Sequence, residues 1–411
     1  MITRRVLVLV LDGLGVGSMD DALPSDRTSH TLASVRSAAG GLEIPNLAGM
    51  GLLEIAHLAG TGSIGAITAA HGRARLGYDG ADTYLGHQAL MGAPLDQVES
   101  HMLEDRSAVV RRALEDDGHR VSDIRARCSA LLVDDVAVIA DNIEAAPGLN
   151  INVTASNDEI PFEDLLAIGM TVRRVVSVPR VIVVGGRGYT TADIVASISE
   201  RGPGHMGVDT PVLGVYDENY LVRHLGASTG NHRTLPNLVL ESGAQVVLIG
   251  KAADVIECDG AIRRNVIPTE AVIAEVNNYL TVDFRGLIVA NIQETDLAGH
   301  EQDADRFRSV LEAVDRAIPS WQAALGDDGV LFVAADHGND PAIGHSQHTR
   351  EYVPVLVAGR SVEPVHLGEL SSLSDIGATI AELLGIGTIA RGRSFAGSLE
   401  RSPVAAETVD N

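Results

Sequence analysis

Cysteine is scarce: the 411 residues contain only Cys128 and Cys258, 130 positions apart. That excludes a disulfide framework and any CxxC metal or redox motif, and it agrees with a reducing compartment. Nor does any apolar run reach the ~20 residues needed to span a bilayer. The opening "MITRRVLVLVLDGLG" imitates a secretion signal, but its apolar run stops at Leu11, Asp12 follows, and no small-residue cleavage site comes after. It reads as the first β-strand of a cytoplasmic protein with no membrane partner. Blocks of Lys and Arg are missing as well. The 31 basic and 55 acidic residues are interspersed at a net charge of −24, which leaves no basic stripe to follow a phosphate backbone and argues against nucleic acid as a partner. Internal repeats and low-complexity segments are absent, and only the tail, 401–411, has a disordered composition.

With 45% hydrophobic residues the chain can bury a large core, and its length suggests two or three domains. Short β-branched runs at Val6–Leu11, Val246–Ile249, Leu287–Ala290, Val330–Ala334 and Tyr352–Val357 read as strands buried on both faces. Between them lie helical patterns. Phe307, Val310, Leu311, Val314 and Ile318 recur at helical spacing until Pro319, which is expected to end or kink the helix, and "SDIGATIAELLG" is expected to be capped by Ser374 and closed by Gly385. This alternation predicts an α/β fold with a mainly parallel sheet flanked by helices. The middle differs, with a helical piece at Arg106–Leu114, a strand at 180–186 and Gly/Pro-rich loops. The expected organisation is a core of 1–94 and 228–400 with an inserted α+β domain at 95–227.

Three strand ends carry the chemistry. "VAADHGNDPAIGHSQHTREYVP", residues 333–354, holds Asp336, His337, Asp340, His345 and His348, three of the chain's 14 histidines within twelve positions. Asp336 and His337 fall at the carboxyl end of a strand, where open parallel sheets place their ligand crevices. Adjacent side chains point apart on a continuing strand, so one metal would need a turn at Gly338, or two metals would share the pair. After another strand, Asp296 and His300 are four residues apart, one face of a helix if the segment is helical; a plain helix cap at Asp296 is the competing reading. The first strand ends in Asp12 before "GLGVG". A mixed Asp/His set suits Mn2+, Zn2+ or Mg2+, and two sites together would clamp the oxygens of a phosphoryl transfer. Thr83, in "GADTYLGHQALMG", stands before an apolar stretch and is either an ordinary N-cap or a nucleophile at a helix N-terminus.

Taken together, "VLDGLGVGSMDDA", "IPNLAGMGLLEI", "ADTYLGHQALMG", "DLAGH", "ADHGNDP", "HTREYVPVLV", "SDIGATIAELLG" and "GRSF" resemble the phosphopentomutases of the alkaline phosphatase superfamily, relatives of the cofactor-independent phosphoglycerate mutases. The resemblance implies an alkaline-phosphatase-like core with a smaller cap domain. It also implies interconversion of ribose or deoxyribose 1-phosphate and 5-phosphate through a phosphothreonine at Thr83. It places Asp12, Asp336 and His337 on one divalent metal and Asp296, His300 and His348 on a second, with Mn2+ favoured and Zn2+ or Mg2+ as alternatives. Arg180 and Lys251 would meet the distal phosphate of a small sugar phosphate, and a sugar bisphosphate would serve as activator. His345 matches nothing and reads as a solvated loop residue. The family's "FxRTxNRxD" and "ASGTE" segments are replaced by "YDENYLVRHLGASTGNHRTLPN" and "RARCSALLVDD". That leaves Arg223 or Arg233 as a substitute for the missing arginine and Asp141 as the candidate substrate-facing aspartate. "DLAGH" is one residue shorter than the family's usual spacing and is similar to the phosphoglycerate mutases. A phosphatase or mutase for another phosphorylated metabolite is the alternative; a silent binding protein is disfavoured because every ligand position and the nucleophile are present.

Overall fold

The apolar runs become strands with little exposed surface, in a computed structural model that describes residues 4–400 apart from 39, 59–65, 96, 97, 125–129, 144, 146, 214–220 and 228–232. Cys128 and the tail at 401–411 lie outside the described residues. Two compact units divide the chain, Met1–Ala93 with His232–Asn411, and Pro94–Asn231. Along the chain, β1 (Arg5–Leu11) and β2 (Ala70–Ala74) come first. The second unit then contributes β3 (Val121–Asp123), β4 (Leu131–Val133), β5 (Ala137–Asp141), β6 (Asn150–Ser156), β7 (Arg180–Gly186), β8 (Ile198–Gly202), β9 (His205–Val208) and β10 (Leu221–Gly226). Back in the first unit follow β11 (Gln245–Ile249), β12 (Ile262–Arg264), β13 (Gly286–Ile292), β14 (Gly329–Ala334), β15 (Val353–Ala358) and β16 (His366–Leu370).

The first unit holds an eight-stranded sheet in the order β12-β11-β13-β1-β14-β15-β2-β16. It is parallel from β12 to β14, β15 runs antiparallel to both neighbours, and β2 and β16 are parallel to each other. Val6 to Leu11 are fully buried, as expected of a central strand covered on both faces. β1 pairs Leu11 with Ile292 on one side and Val10 with Ala334 on the other. The residues following these three strands therefore leave the sheet at the same edge.

Of the two outcomes expected at Pro319, an end or a kink, the end is excluded: the helix Ala304–Leu325 runs through the proline. Proline has no N–H to offer the carbonyl four residues back, and that carbonyl, on Asp315, instead accepts from Asn46 Nδ2 at 3.0 Å. The Asp315 carboxylate also accepts from the backbone N–H of Leu47 at 2.7 Å, so the release is used to anchor a neighbouring helix. Ser374 is the first residue of the helix Ser374–Leu384, not its cap, and its hydroxyl donates to Ala89 O at 2.9 Å. Gly385 closes that helix in the left-handed conformation, as expected.

In the second unit a six-stranded sheet runs β10-β7-β6-β5-β4-β3, with β8 and β9 forming a separate hairpin. Alternation along β6 and β7 sends Val153, Val181 and Val183 into a core shared with the helices Leu103–Asp116 and Phe162–Arg173. Ile182 and Val184 face the other way and join Val138, Ala140 and Val208. At the end of β5, Asp141 accepts from the backbone N–H of Leu103 at 2.8 Å, at the start of the helix, while its second oxygen has no hydrogen bond. Burial, offset only in part by that N–H, pushes its carboxyl up to about 7. An acid whose pKa is higher folded than unfolded costs stability as pH rises from the unfolded value toward the folded one. Asp141→Asn keeps the acceptor and removes the charge, so it is expected to raise the thermal unfolding midpoint more at about pH 8 than at about pH 5. An equal gain at both would contradict this account.

Candidate active site

The common edge of β13, β1 and β14 gathers three carboxylates. Asp12 follows β1 and Asp336 lies just past β14, both fully buried. Asp296 sits in the helix Gln293–His300 that continues from β13, buried to 3% exposure. The helical reading of this segment holds: His300 Nε2 lies 3.5 Å from Asp296 Oδ1 at the i,i+4 spacing, and Asp296 is not a cap. Donor atoms of Asp12, Asp336 and His337 lie within 4.8 Å of one another, and so do those of Asp296, His337 and His348. The strand stops before Asp336, and His337 belongs to both clusters.

Thr83 is the first residue of the helix Thr83–Leu90. The cap is Asp82, which accepts from the backbone N–H of Leu85 at 3.0 Å, so the threonine hydroxyl is free of that duty. Its Oγ1 lies 2.7 Å from His337 Nε2 and accepts from Lys251 Nζ at 3.1 Å. The helix can come this close because residue 86 is glycine: a Cβ there would stand 2.6 Å from the Asp336 carbonyl oxygen. A helix N-terminus at Thr83 also carries partial positive charge, which favours a phosphoryl anion.

Lys251 is the only lysine in the chain, and its Nζ sits 2.9 Å from both Asp12 Oδ2 and Asp296 Oδ2. Burial opposes its charge, but Asp12, Asp296 and Asp336 outweigh burial and hold the ammonium above its ordinary value. Burial and repulsion from Asp336, relieved in part by Lys251, push Asp12 up to about 6. His348 is pushed down to about 4 by burial and by the neighbouring His337.

The donors fit divalent cations on two observations. Nδ1 of His300, His337 and His348 lies 2.6, 3.1 and 3.1 Å from the backbone oxygens of Ser346, Gly338 and Ala81 respectively. Donating there turns each Nε2 lone pair inward, the usual arrangement of a metal-bound imidazole. Nε2 of His300 and Nε2 of His348 then face each other at 3.1 Å, with Asp296 Oδ1 3.3 Å from the latter. In addition, Asp12 Oδ1 and Asp336 Oδ2 are buried and make no hydrogen bond of good geometry. Lone pairs converging without donors are the signature of a cation site.

Eight of the nine residues matched to a role by the resemblance thus converge: Asp12, Thr83, Lys251, Asp296, His300, Asp336, His337 and His348. Arg180 belongs to the second unit, at the start of β7, with Nη1 3.4 Å from His224 Nδ1. Lys251, expected at a distal phosphate, lies beside the Thr83 hydroxyl. His345 is not a free loop residue, since its Nε2 is 3.3 Å from Asp26 Oδ1. The supporting residues were not singled out. Asn291 Nδ2 donates to Asp12 Oδ2 and lies 3.0 Å from His87 Nε2, and Asn339 Nδ2 donates to Asp296 Oδ1 at 2.8 Å. His87, four residues after Thr83 on the same helix face, was open to detection by spacing.

The fold and site define a metal-dependent phosphotransfer enzyme. The Metalloenzyme superfamily model matches residues 4–388. The crystal structure of Leishmania mexicana phosphoglycerate mutase at low cobalt concentration shares the fold at 15% identity, with a TM-score of 0.50 over 96% of this chain and 97% of that one. The phosphopentomutases of Herpetosiphon aurantiacus and Symbiobacterium thermophilum are each 30% identical, over 97% of this chain and 99% of theirs. Within the superfamily, the chain belongs to the phosphopentomutase family. Among the described residues no helix is long and apolar enough to cross a membrane.

Gly86→Ala should push the Thr83 helix away from Asp336. A misplacement near 1 Å costs on the order of 100-fold in turnover, so kcat is expected to fall about that far with the circular dichroism spectrum unchanged. Full activity would contradict the close-approach argument.

Proposed function

We propose that the chain interconverts ribose or deoxyribose 1-phosphate and 5-phosphate through a phosphoryl group carried on Thr83. The observation carrying this reading is the Thr83 hydroxyl itself, released from capping and held at 2.7 Å from His337 Nε2 and 3.1 Å from Lys251 Nζ. Asp12, Asp336 and His337 would hold one divalent cation, and Asp296, His300 and His348 a second, with Mn2+ favoured over Zn2+ or Mg2+. Such cations, when bound, lower the pKa of a coordinated hydroxyl and neutralise charge on the transferring group.

The protein's own residues do the rest. Thr83 passes its phosphoryl group to the free hydroxyl of the sugar monophosphate: the Thr83 Oγ1–P bond breaks, a sugar O–P bond forms, and the hydroxyl proton ends on Oγ1. The resulting bisphosphate returns its other phosphoryl group to Thr83, so a sugar bisphosphate can also prime the enzyme. The helix N-terminus stabilises the phosphothreonine, and Asn291 and Asn339 hold Asp12 and Asp296 in place. Lys251 is assigned to the substrate's other phosphate. Water must be kept from the phosphothreonine, which it would otherwise hydrolyse. A sugar phosphate substrate and the scarcity of cysteine support a cytoplasmic location, and the missing basic stripe argues against a nucleic-acid partner.

The test is an isomerisation assay with ribose 1-phosphate or ribose 5-phosphate, Mn2+ and a priming sugar bisphosphate. The wild type is expected to isomerise both, and Thr83→Ala to lose this activity while keeping its fold. Release of free phosphate without isomerisation would make the protein a phosphatase and overturn the reading.

A further inference from the structure

A second group of metal-type donors lies at the β2–β16 edge of the same sheet. His71 on β2 and His366 on β16 are direct register partners on parallel strands, so both side chains leave the sheet on one face. Their rings meet edge to face at 5.1 Å. Glu54, on the short helix Leu52–Ile55, reaches over them, and ligand atoms from all three residues lie within 4.8 Å of one another.

His71 is the informative member. It is 5% exposed, and its Nδ1 lies 3.0 Å from the Ala69 carbonyl oxygen. That contact puts the ring proton on Nδ1 and leaves Nε2 as a lone pair, the tautomer a metal ligand requires. Nε2 is buried and has no hydrogen-bond partner. Glu54 Oε1 lies 3.5 Å away, and a carboxylate facing an imidazole lone pair sets two acceptors against each other. An ordinary core histidine has both nitrogens satisfied. Space for the ring is kept by Gly51, at φ +104°, where a Cβ would stand 2.6 Å from His71 Cγ.

We propose that Glu54, His71 and His366 bind a divalent first-row transition metal, separate from the donors around Thr83. Two imidazoles and one carboxylate form a set suited to Zn2+, Co2+ or Ni2+, with remaining positions open to water; Mg2+ and Ca2+ prefer all-oxygen sets. Register places His71 level with Leu356, Val333 and Leu9. Asp12 is then about 10 Å further along the strands and about 14 Å across three of them, too far to share an ion. His366 is exposed and accepts from the Gly368 backbone N–H at 3.1 Å, a contact it exchanges for the cation. Bound there, the metal ties the edge strand β16 to β2 and to the helix carrying Glu54, so its role is structural.

The experiment uses the full-length protein saturated with Mn2+ and then dialysed against Zn2+, with bound zinc counted by elemental analysis. Glu54→Gln and His366→Ala alter exposed side chains and are compared with the wild type. Any exchange at the donors around Thr83 is common to all three proteins. Each variant is expected to hold one zinc fewer than the wild type, to show a smaller zinc-dependent rise in unfolding temperature, and to keep wild-type isomerisation with Mn2+. Equal zinc content in the three proteins overturns the proposal.

Discussion

Three carboxylates in one buried pocket repel each other, and the first unit is organised around managing that repulsion. Asp12, Asp296 and Asp336 arrive from three neighbouring strands, and at such burial an unbalanced charge costs several kcal/mol. The protein answers with fixed donors. Asn291 and Lys251 serve Asp12, the Gly13 backbone N–H serves Asp336, and Asn339 and Lys251 serve Asp296. Glu351, itself fully buried, accepts from Thr31 and Thr349 at 2.7 Å each and from the Gly17 backbone N–H at 3.1 Å, and so ties the loop after β1 to the loop after β14. One oxygen on Asp12 and one on Asp336 remain without a good hydrogen bond, and these are the ones turned toward the histidine donors.

A pocket built this way attracts positive charge, and it sets a neutral alcohol where that charge is concentrated. Thr83 reaches this position because Asp82 takes over the capping and Gly86 lets the helix touch Asp336. The same helix supplies His87, whose Nδ1 lies 2.8 Å from the Thr83 carbonyl oxygen and 3.4 Å from Asp336 Oδ2. His87 thereby links the Thr83 turn to Asp336, which suits a reaction in which positioning and electrostatics do most of the work.

Much of this was legible in the sequence because it is local. Each β-branched run became a strand, and the i,i+4 pair Asp296 and His300 came together when its segment proved helical. Strand ends in Asp gave the common edge. What stayed hidden depends on partners distant in the chain. Pro319 left an end or a kink open because Asn46, which takes up the freed Asp315 carbonyl, lies 269 positions from Asp315. Asn291 reads as an incidental polar residue in an apolar strand until β13 is known to lie beside β1. Lys251 follows a strand like many others, and only the fold shows that it lies between two carboxylates. Glu54, His71 and His366 come together only through the pairing of β2 with β16.

The most direct measurement is to incubate the Mn2+-loaded protein with a pentose bisphosphate labelled with radioactive phosphate, quench, digest, and map the label by peptide sequencing. The account predicts acid-stable label on the peptide containing Thr83, chased off by unlabelled ribose 5-phosphate. Label on another residue, or isomerisation proceeding with no label on Thr83, would contradict it.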